Sequence, residues 1–182
     1  LSRDDFRRAN VDALVQQTAE LVATTRSDVR FGISPFGIYR PGTPAGITGL
    51  DAYASLYCDP VRWMKEGWVD YLAPQLYWPT TRTAQAFGKL VTWWASLSEN
   101  GQSIFVGHDA TKIGTTDWPL SEYEDQMSLA HAERSRGVTG SIFFTANPLV
   151  EDTGGLRSSL VANHWASRAL TPPLASALGA SI

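Results

Sequence analysis

The chain alternates. Four short apolar runs, "VRFGISP", "VDYLAPQLYW", "SIFVGHD" and "VTGSIFFTA", are separated by helix-competent stretches at a spacing of roughly 35 to 40 residues. Such alternation implies parallel strands joined by right-handed helical crossovers. The runs are apolar at nearly every position, as expected of strands covered on both faces. Four such units are half of a (β/α)8 barrel, which typically needs about 250 residues. A doubly wound open sheet is the rival. It usually carries a G-x-G-x-x-G phosphate turn after its first strand, and "SPFGIYRPGTPAG" has none. The expected fold class is therefore α/β of the (β/α)8 TIM-barrel type, with this chain covering about the second half. Residues 1–173 form that half-barrel and residues 174–182 a tail.

Helix signals fill the gaps. Ser2 with Asp5 reads as a capping box, followed by a stripe of Phe6, Ala9, Ala13, Leu14, Gln17 and Leu21 at three- and four-residue spacing. Asp59-Pro60 reads as an N-cap with proline at the first helical position, ending at Gly67. Thr83 is expected to cap a helix bearing Phe87, Leu90, Val91 and Trp94, and Ser121 with Glu124 to box another that ends at Gly137. "GLRSSLVANHWASRAL" closes the series before Pro172-Pro173. Between the first strand and Asp59, "FGIYRPGTPAGITGLDAYASLY" is too rich in Gly and Pro for a regular element.

Composition excludes several classes. The net charge is −3 with no run of Lys or Arg, so a nucleic-acid partner is not expected. No apolar stretch approaches the roughly 20 residues of a membrane span. A single cysteine, Cys58, excludes an intrachain disulfide. Three histidines, His108, His131 and His164, lie on different expected elements without ligand spacing, which disfavours zinc. His131 and His164 read as ordinary helix residues. No metal and no cofactor is expected. The chain begins with Leu1 and no signal-peptide pattern precedes its first helix, so it reads as part of something longer.

The blocks "FGISPFGIYRPG" and "GLDAYASLYCDPVRWMKEGWVDYLAPQLYWP", with the tryptophan pair in "KLVTWWA", resemble glycoside-hydrolase-like family 10. The resemblance runs from about Leu1 to Pro173 and is looser through "FVGHDATKIG". It implies a barrel protein of the bacterial cell envelope, or secreted. The best understood members of that family act on peptidoglycan glycan strands stripped of their peptides. It also implies a departure, because the family's aspartate pair lies in a strand just upstream of the opening helix, and nothing like it occurs here. The expected partners are accordingly a glycan and either the missing N-terminal half of the barrel or a second copy.

In parallel barrels, ligands sit at the C-terminal ends of the strands. That position yields Ser34, Phe36, Tyr39 and Arg40 after the first strand, and Gln75, Tyr77 and Trp78 after the second. His108, Asp109 and Lys112 follow the third strand, and Thr145 and Asn147 the fourth. Alternation along "LAPQLYW" turns Gln75 and Tyr77 to one side. A sugar pocket needs an aromatic face and amide or hydroxyl groups, and these residues supply both, although packing of Tyr77 and Trp78 under the last helices is the plainer alternative. Asp109 is the one carboxylate at the right end of a strand, with a turn role as the equal alternative. Asp70 faces the wrong end, and Asp59 is better read as a cap. Glycoside cleavage commonly uses two carboxyl groups, or a substrate acetamide steadied by a tyrosine beside one acid. "APQLYW" resembles the strand that supplies that tyrosine in chitinase-type barrels. The expected catalytic residues are thus Tyr77 and Asp109, with Ser34, Phe36, Tyr39, Arg40, Gln75, Trp78, Lys112 and Asn147 binding substrate. A non-catalytic glycan-binding or structural barrel protein is the alternative.

Overall fold

A computed structural model describes residues 1–170, so the expected boundary at residue 173 and the Pro172-Pro173 pair lie outside the described residues. Helix α1 spans Arg3–Thr25. Ser2 caps it as expected: its hydroxyl accepts the Asp5 N–H and donates to the Asp5 carboxylate at 2.7 Å. The expected apolar stripe does not face the chain. Phe6 is 58% exposed, and Leu14 and Leu21 are each 65% exposed. The buried positions are Arg8, Asp12 and Val15. The Arg8 guanidinium lies 3.6 Å over the Tyr53 ring and donates to the Tyr53 carbonyl. Asp12 accepts from Arg62 at 2.8 Å and from the Trp63 indole at 2.7 Å. The elements beneath α1 are α2 (Ala52–Ser55), capped by Asp51, and α3 (Pro60–Lys65), capped by Asp59. They offer α1 mostly donors and ring faces, so the helix docks by directional bonds. Cys58, half-buried between these two helices, is a free thiol. Burial, with the carboxylates of Asp59 and Asp12 behind it, pushes its pKa up to about 12.

Strands β1 (Gly32–Ile33), β2 (Tyr71–Leu72), β3 (Ser103–Asp109) and β4 (Val138–Phe144) form one parallel sheet in the order β1-β2-β3-β4. An order that follows the chain without reversal matches the staves of a barrel and lacks the switch point of a doubly wound sheet. The α/β fold with its parallel sheet is thus compatible with part of a TIM-barrel-like domain. β2 is shorter than its apolar run because Pro74 has no N–H to give the ladder. Beyond it the chain keeps only single bridges, Gln75 to Phe36 and Gln75 to Gly107. Gly107 permits that approach, since a Cβ there would stand 2.7 Å from the Pro74 carbonyl oxygen.

The two faces of the sheet differ. Leu72, Ile104, Val106 and His108 alternate onto one face and are all fully buried. They lie under α4 (Phe87–Ala95) and α5 (Leu120–Ala132), where the expected Phe87, Leu90, Val91 and Trp94 form the core. On the other face the Tyr71 and Phe105 rings meet edge to face at 5.3 Å, while Ile142 and Phe144 of β4 are 45% and 54% exposed. The expectation of two covered faces therefore fails, and the apolar runs reflect one buried face and one bare one.

Several helix boundaries also differ. Thr83 caps nothing and opens a single tight turn, Thr83–Gln85, while α4 starts at Phe87 behind Ala86. Ser121 and Glu124 form no capping box. Pro119 precedes α5, and Glu124 instead bonds Ser159 and His164. α5 stops at Ala132, and a further turn, Arg134–Arg136, leads to Gly137, whose φ of +95° suits glycine. After α6 (Asn147–Val150), α7 covers Leu156–Asn163 and ends well before Leu170. Among the described residues no helix is long and apolar enough to cross a membrane.

Candidate active site at the strand ends

Because all four strands run parallel, their C-terminal ends share one edge of the sheet. On the bare face of that edge stands the group built around Tyr77. Its ring stacks on Phe144 with centroids 6.0 Å apart, and its carbonyl accepts from the Lys112 ammonium at 3.1 Å. Lys112 also lies 3.2 Å from an Asp109 carboxylate oxygen. Burial first, and the Asp109 charge second, raise the Tyr77 phenol above its ordinary pKa. The other Asp109 oxygen accepts from the Thr111 N–H at 3.1 Å and from its hydroxyl at 2.6 Å. Asp109 thereby also plays the turn role set against catalysis in the sequence, holding the tight turn Ala110–Lys112. One bridge further down the sheet, the Gln75 amide donates to the Ser34 carbonyl at 3.2 Å, and the Ser34 hydroxyl donates to the Ala73 carbonyl. Tyr77, Asp109 and Lys112 are thus brought together, and Ser34 and Gln75 pair beside them.

The remaining sequence-predicted residues are placed elsewhere. Phe36 and Trp78 meet edge to face at 5.6 Å and both pack on the main core. Tyr39 stacks on Trp93 of α4 at 5.7 Å and donates to Asp59 at 3.2 Å, so the loop and α3 absorb it. Burial and then the Asp59 charge raise its phenol. Arg40 lies 4.6 Å over the Tyr53 ring and 3.7 Å from Asp51. Asn147 opens α6 with an exposed side chain, and no hydrogen bond among the described residues ties that side chain to Tyr77. His108 does not reach the strand-end group. It is fully buried on the helix side, between Gln126 at 2.8 Å and Ser141 at 3.0 Å, with its ring stacked on Phe143. Burial, only partly offset by the Gln126 bond, lowers its pKa to about 4.

Sequence reasoning missed Phe144, although alternation along "SIFF" already sets Ile142 and Phe144 on one side. It also missed the buried polar residues of α5, Glu122 and Gln126, because a Ser-x-x-Glu pattern draws the eye to the wrong glutamate. His131 and His164 are less ordinary than expected. Their rings approach to 5.0 Å, and His164 bonds Glu124 at 2.6 Å. With Arg134 and Trp165 they line a cavity of about 470 Å³ beside the start of β4, away from Tyr77. Among the described residues no group of three or more His, Cys, Asp or Glu could hold a metal ion.

A parallel α/β sheet with tyrosine, amide, carboxylate and ammonium groups gathered at its C-terminal edge is compatible with part of a TIM-barrel-like domain, the class of fold in which ligands bind at that edge. Residues 2–124 match the model of the Glycosyl hydrolase-like 10 family, and the chain belongs to that family. The matched range includes Tyr77, Asp109 and Lys112. The protein is 34% identical over 179 residues to Glycosyl hydrolase YngK of Bacillus subtilis (strain 168), a match covering 94% of this chain and 35% of that protein. It is 29% identical over 180 residues to Glycosyl hydrolase DigH of Escherichia coli (strain K12), covering 91% of this chain and 40% of that protein. The chain therefore spans well under half the length of these relatives.

Proposed function

We propose that this chain is the C-terminal part of a glycoside hydrolase barrel acting on N-acetylated cell-wall glycan, namely peptidoglycan strands freed of peptide. Its place would be the cell envelope or the outside of the cell. The observation that carries the reading is the position of Tyr77. It stands at the C-terminal edge of the sheet, on the bare face, stacked on Phe144 and backed by Lys112 and Asp109. In a closed barrel that face is the interior and that edge is the mouth. A tyrosine hydroxyl there can steady a substrate acetamide as its oxygen attacks the anomeric carbon, while a carboxylic acid protonates the leaving oxygen. The acid belongs to a carboxylate pair supplied from an upstream half, and Gln75 and Ser34 add polar groups beside the ring. Two open sheet edges and a bare apolar face favour completion by that half or by a second copy.

A second reading, glycan binding without cleavage, draws on one fact. Both Asp109 oxygens are already engaged, by Thr111 and Lys112. One comparison separates the two. The chain alone and joined to its upstream half are assayed for product release from peptide-free glycan strands, with Tyr77→Phe in the longer form. Cleavage only by the longer form, reduced about 100-fold or more by Tyr77→Phe, is expected. The same change should cost about 1 kcal/mol or less in stability, since the ring still packs. Binding without turnover in either form would establish the second reading.

A further inference from the structure

Glu122 is a buried carboxylate, 4% exposed, and no ion pair among the described residues includes it. A buried charge without a cation is costly unless hydrogen bonds replace its hydration. Three donors do so. The Thr80 N–H donates at 2.8 Å, the Thr80 hydroxyl at 2.7 Å, and the Gln126 amide at 2.7 Å. Capping α5 would need only a serine or aspartate before its first turn. The geometry of Glu122 does something else.

Gln126 is fully buried, and the carboxylate fixes which way its amide points. With the nitrogen turned to Glu122, the oxygen faces His108 Nδ1 at 2.8 Å. His108 therefore donates from Nδ1 and accepts the Ser141 hydroxyl at Nε2. The same Gln126 nitrogen lies 3.4 Å from the Trp78 carbonyl. A flipped amide would set oxygen against that oxygen. On the neighbouring residue, Lys112 holds the Tyr77 carbonyl. Two consecutive carbonyls and the Thr80 amide are thus pinned by side chains that converge from α5 and the turn after β3.

We propose that Glu122, acting through Gln126 and Thr80, is a positioning residue that sets the Tyr77–Trp78 backbone, and with it the Tyr77 ring, for turnover. The inference rests on the reading of Tyr77 as part of a glycan site. Its role is one of hydrogen-bond geometry, so a glutamine should serve. In Glu122→Gln the new side-chain oxygen would accept from the Thr80 N–H and from Gln126. The new side-chain nitrogen would donate to the Thr80 hydroxyl, which rotates to accept. An alanine leaves both Thr80 donors without a partner and the Gln126 amide with only its long contact to the Trp78 carbonyl.

The test compares Glu122→Gln, Glu122→Ala and the milder Thr80→Val in the full-length protein. The readouts are the Tyr77 and Trp78 amide resonances and steady-state kinetics on peptide-free glycan strands. Glu122→Ala should move both resonances and lower kcat by about 10- to 100-fold while KM stays within about twofold, the signature of misplaced chemistry. Thr80→Val should move them in the same direction by less, and Glu122→Gln should stay close to wild type. Should Glu122→Ala fail to fold, Thr80→Val carries the same comparison. Resonances that stay in place, resonances that move with kcat unchanged, or a Glu122→Gln variant as impaired as Glu122→Ala would each overturn the proposal. If the wild type itself releases no product, the glycosidase reading falls, and the resonances alone decide whether Glu122 sets Tyr77.

Discussion

β3 and β4 are neighbours of equal length, paired in parallel, yet they meet different surroundings. "SIFVGHD" carries a serine, a glycine, a histidine and an aspartate and is buried at six of seven positions. "VTGSIFF" ends in three large apolar side chains, two of which, Ile142 and Phe144, are among the exposed large hydrophobic residues. The more apolar end is the more exposed one. Burial here follows position in the sheet: β3 has a strand on each side and helices above, whereas β4 has β3 on one side only. Apolar content records what a strand is meant to touch, and exposure records what is present to touch it.

That comparison can be broken most directly at its two ends. Ile104→Ala on β3 should cost about 2–5 kcal/mol by denaturant titration, because a fully buried side chain leaves a cavity. Ile142→Ala on β4 should cost far less in this chain. In a protein whose upstream half covers that face, the Ile142 cost should rise toward the Ile104 value. Equal small costs in both settings would mean that the face is never covered.

A somewhat smaller effect is expected where α1 docks. Asp12→Ala strands the Trp63 indole N–H and removes the partner of Arg62, a loss of about 2–3 kcal/mol. Leu14→Ser on the exposed side of the same helix should change stability by less than about 0.5 kcal/mol. The opposite ranking would show that α1 is held by its apolar stripe after all.

The mildest effect is a pH dependence carried chiefly by His108 on β3. His108 has a folded pKa of about 4 against an ordinary 6.5. Well above pH 6.5 it is neutral in both states and costs nothing. As pH falls below 6.5 the unfolded chain takes up the proton first, so stability is lost progressively until pH approaches 4. Between pH 7 and pH 5 the loss should be about 2 kcal/mol. His108→Gln should remove that slope, whatever its effect on stability at pH 7. A wild-type slope that survives the substitution would assign the effect to other groups.

Much of the fold was legible because its signals are local. β3 begins at Ser103 and ends at Asp109 as the apolar run does, and Asp59 caps α3 ahead of Pro60. Gln75 and Tyr77 share a side as alternation requires. What failed needed partners distant in sequence. Ser121-x-x-Glu124 has the spacing of a capping box, but Glu124 finds Ser159 and His164 instead. The Phe6–Leu21 stripe is real as a pattern, and only the placement of Arg62, Trp63 and Tyr53 turns the polar side of α1 inward. Tyr39 and Arg40 carry the right chemistry for a sugar site, and their contacts within the chain are to Tyr53, Trp93, Asp59 and Asp51. Tyr77, Asp109 and Lys112 come together because each lies at or just beyond the end of its strand, where topology alone sets the neighbours.

The half-buried thiol between α2 and α3 has a practical consequence. With its pKa near 12, only about one Cys58 in 10⁵ is a thiolate at pH 7, so alkylating reagents and mild oxidants should pass the folded chain by. Once the segment around it opens, the group returns to ordinary thiol chemistry and reacts far faster. As the chain's single cysteine, Cys58 is a built-in clock. The rate at which a thiol reagent consumes it measures how often the junction of α1, α2 and α3 comes apart, with no label added and no residue changed.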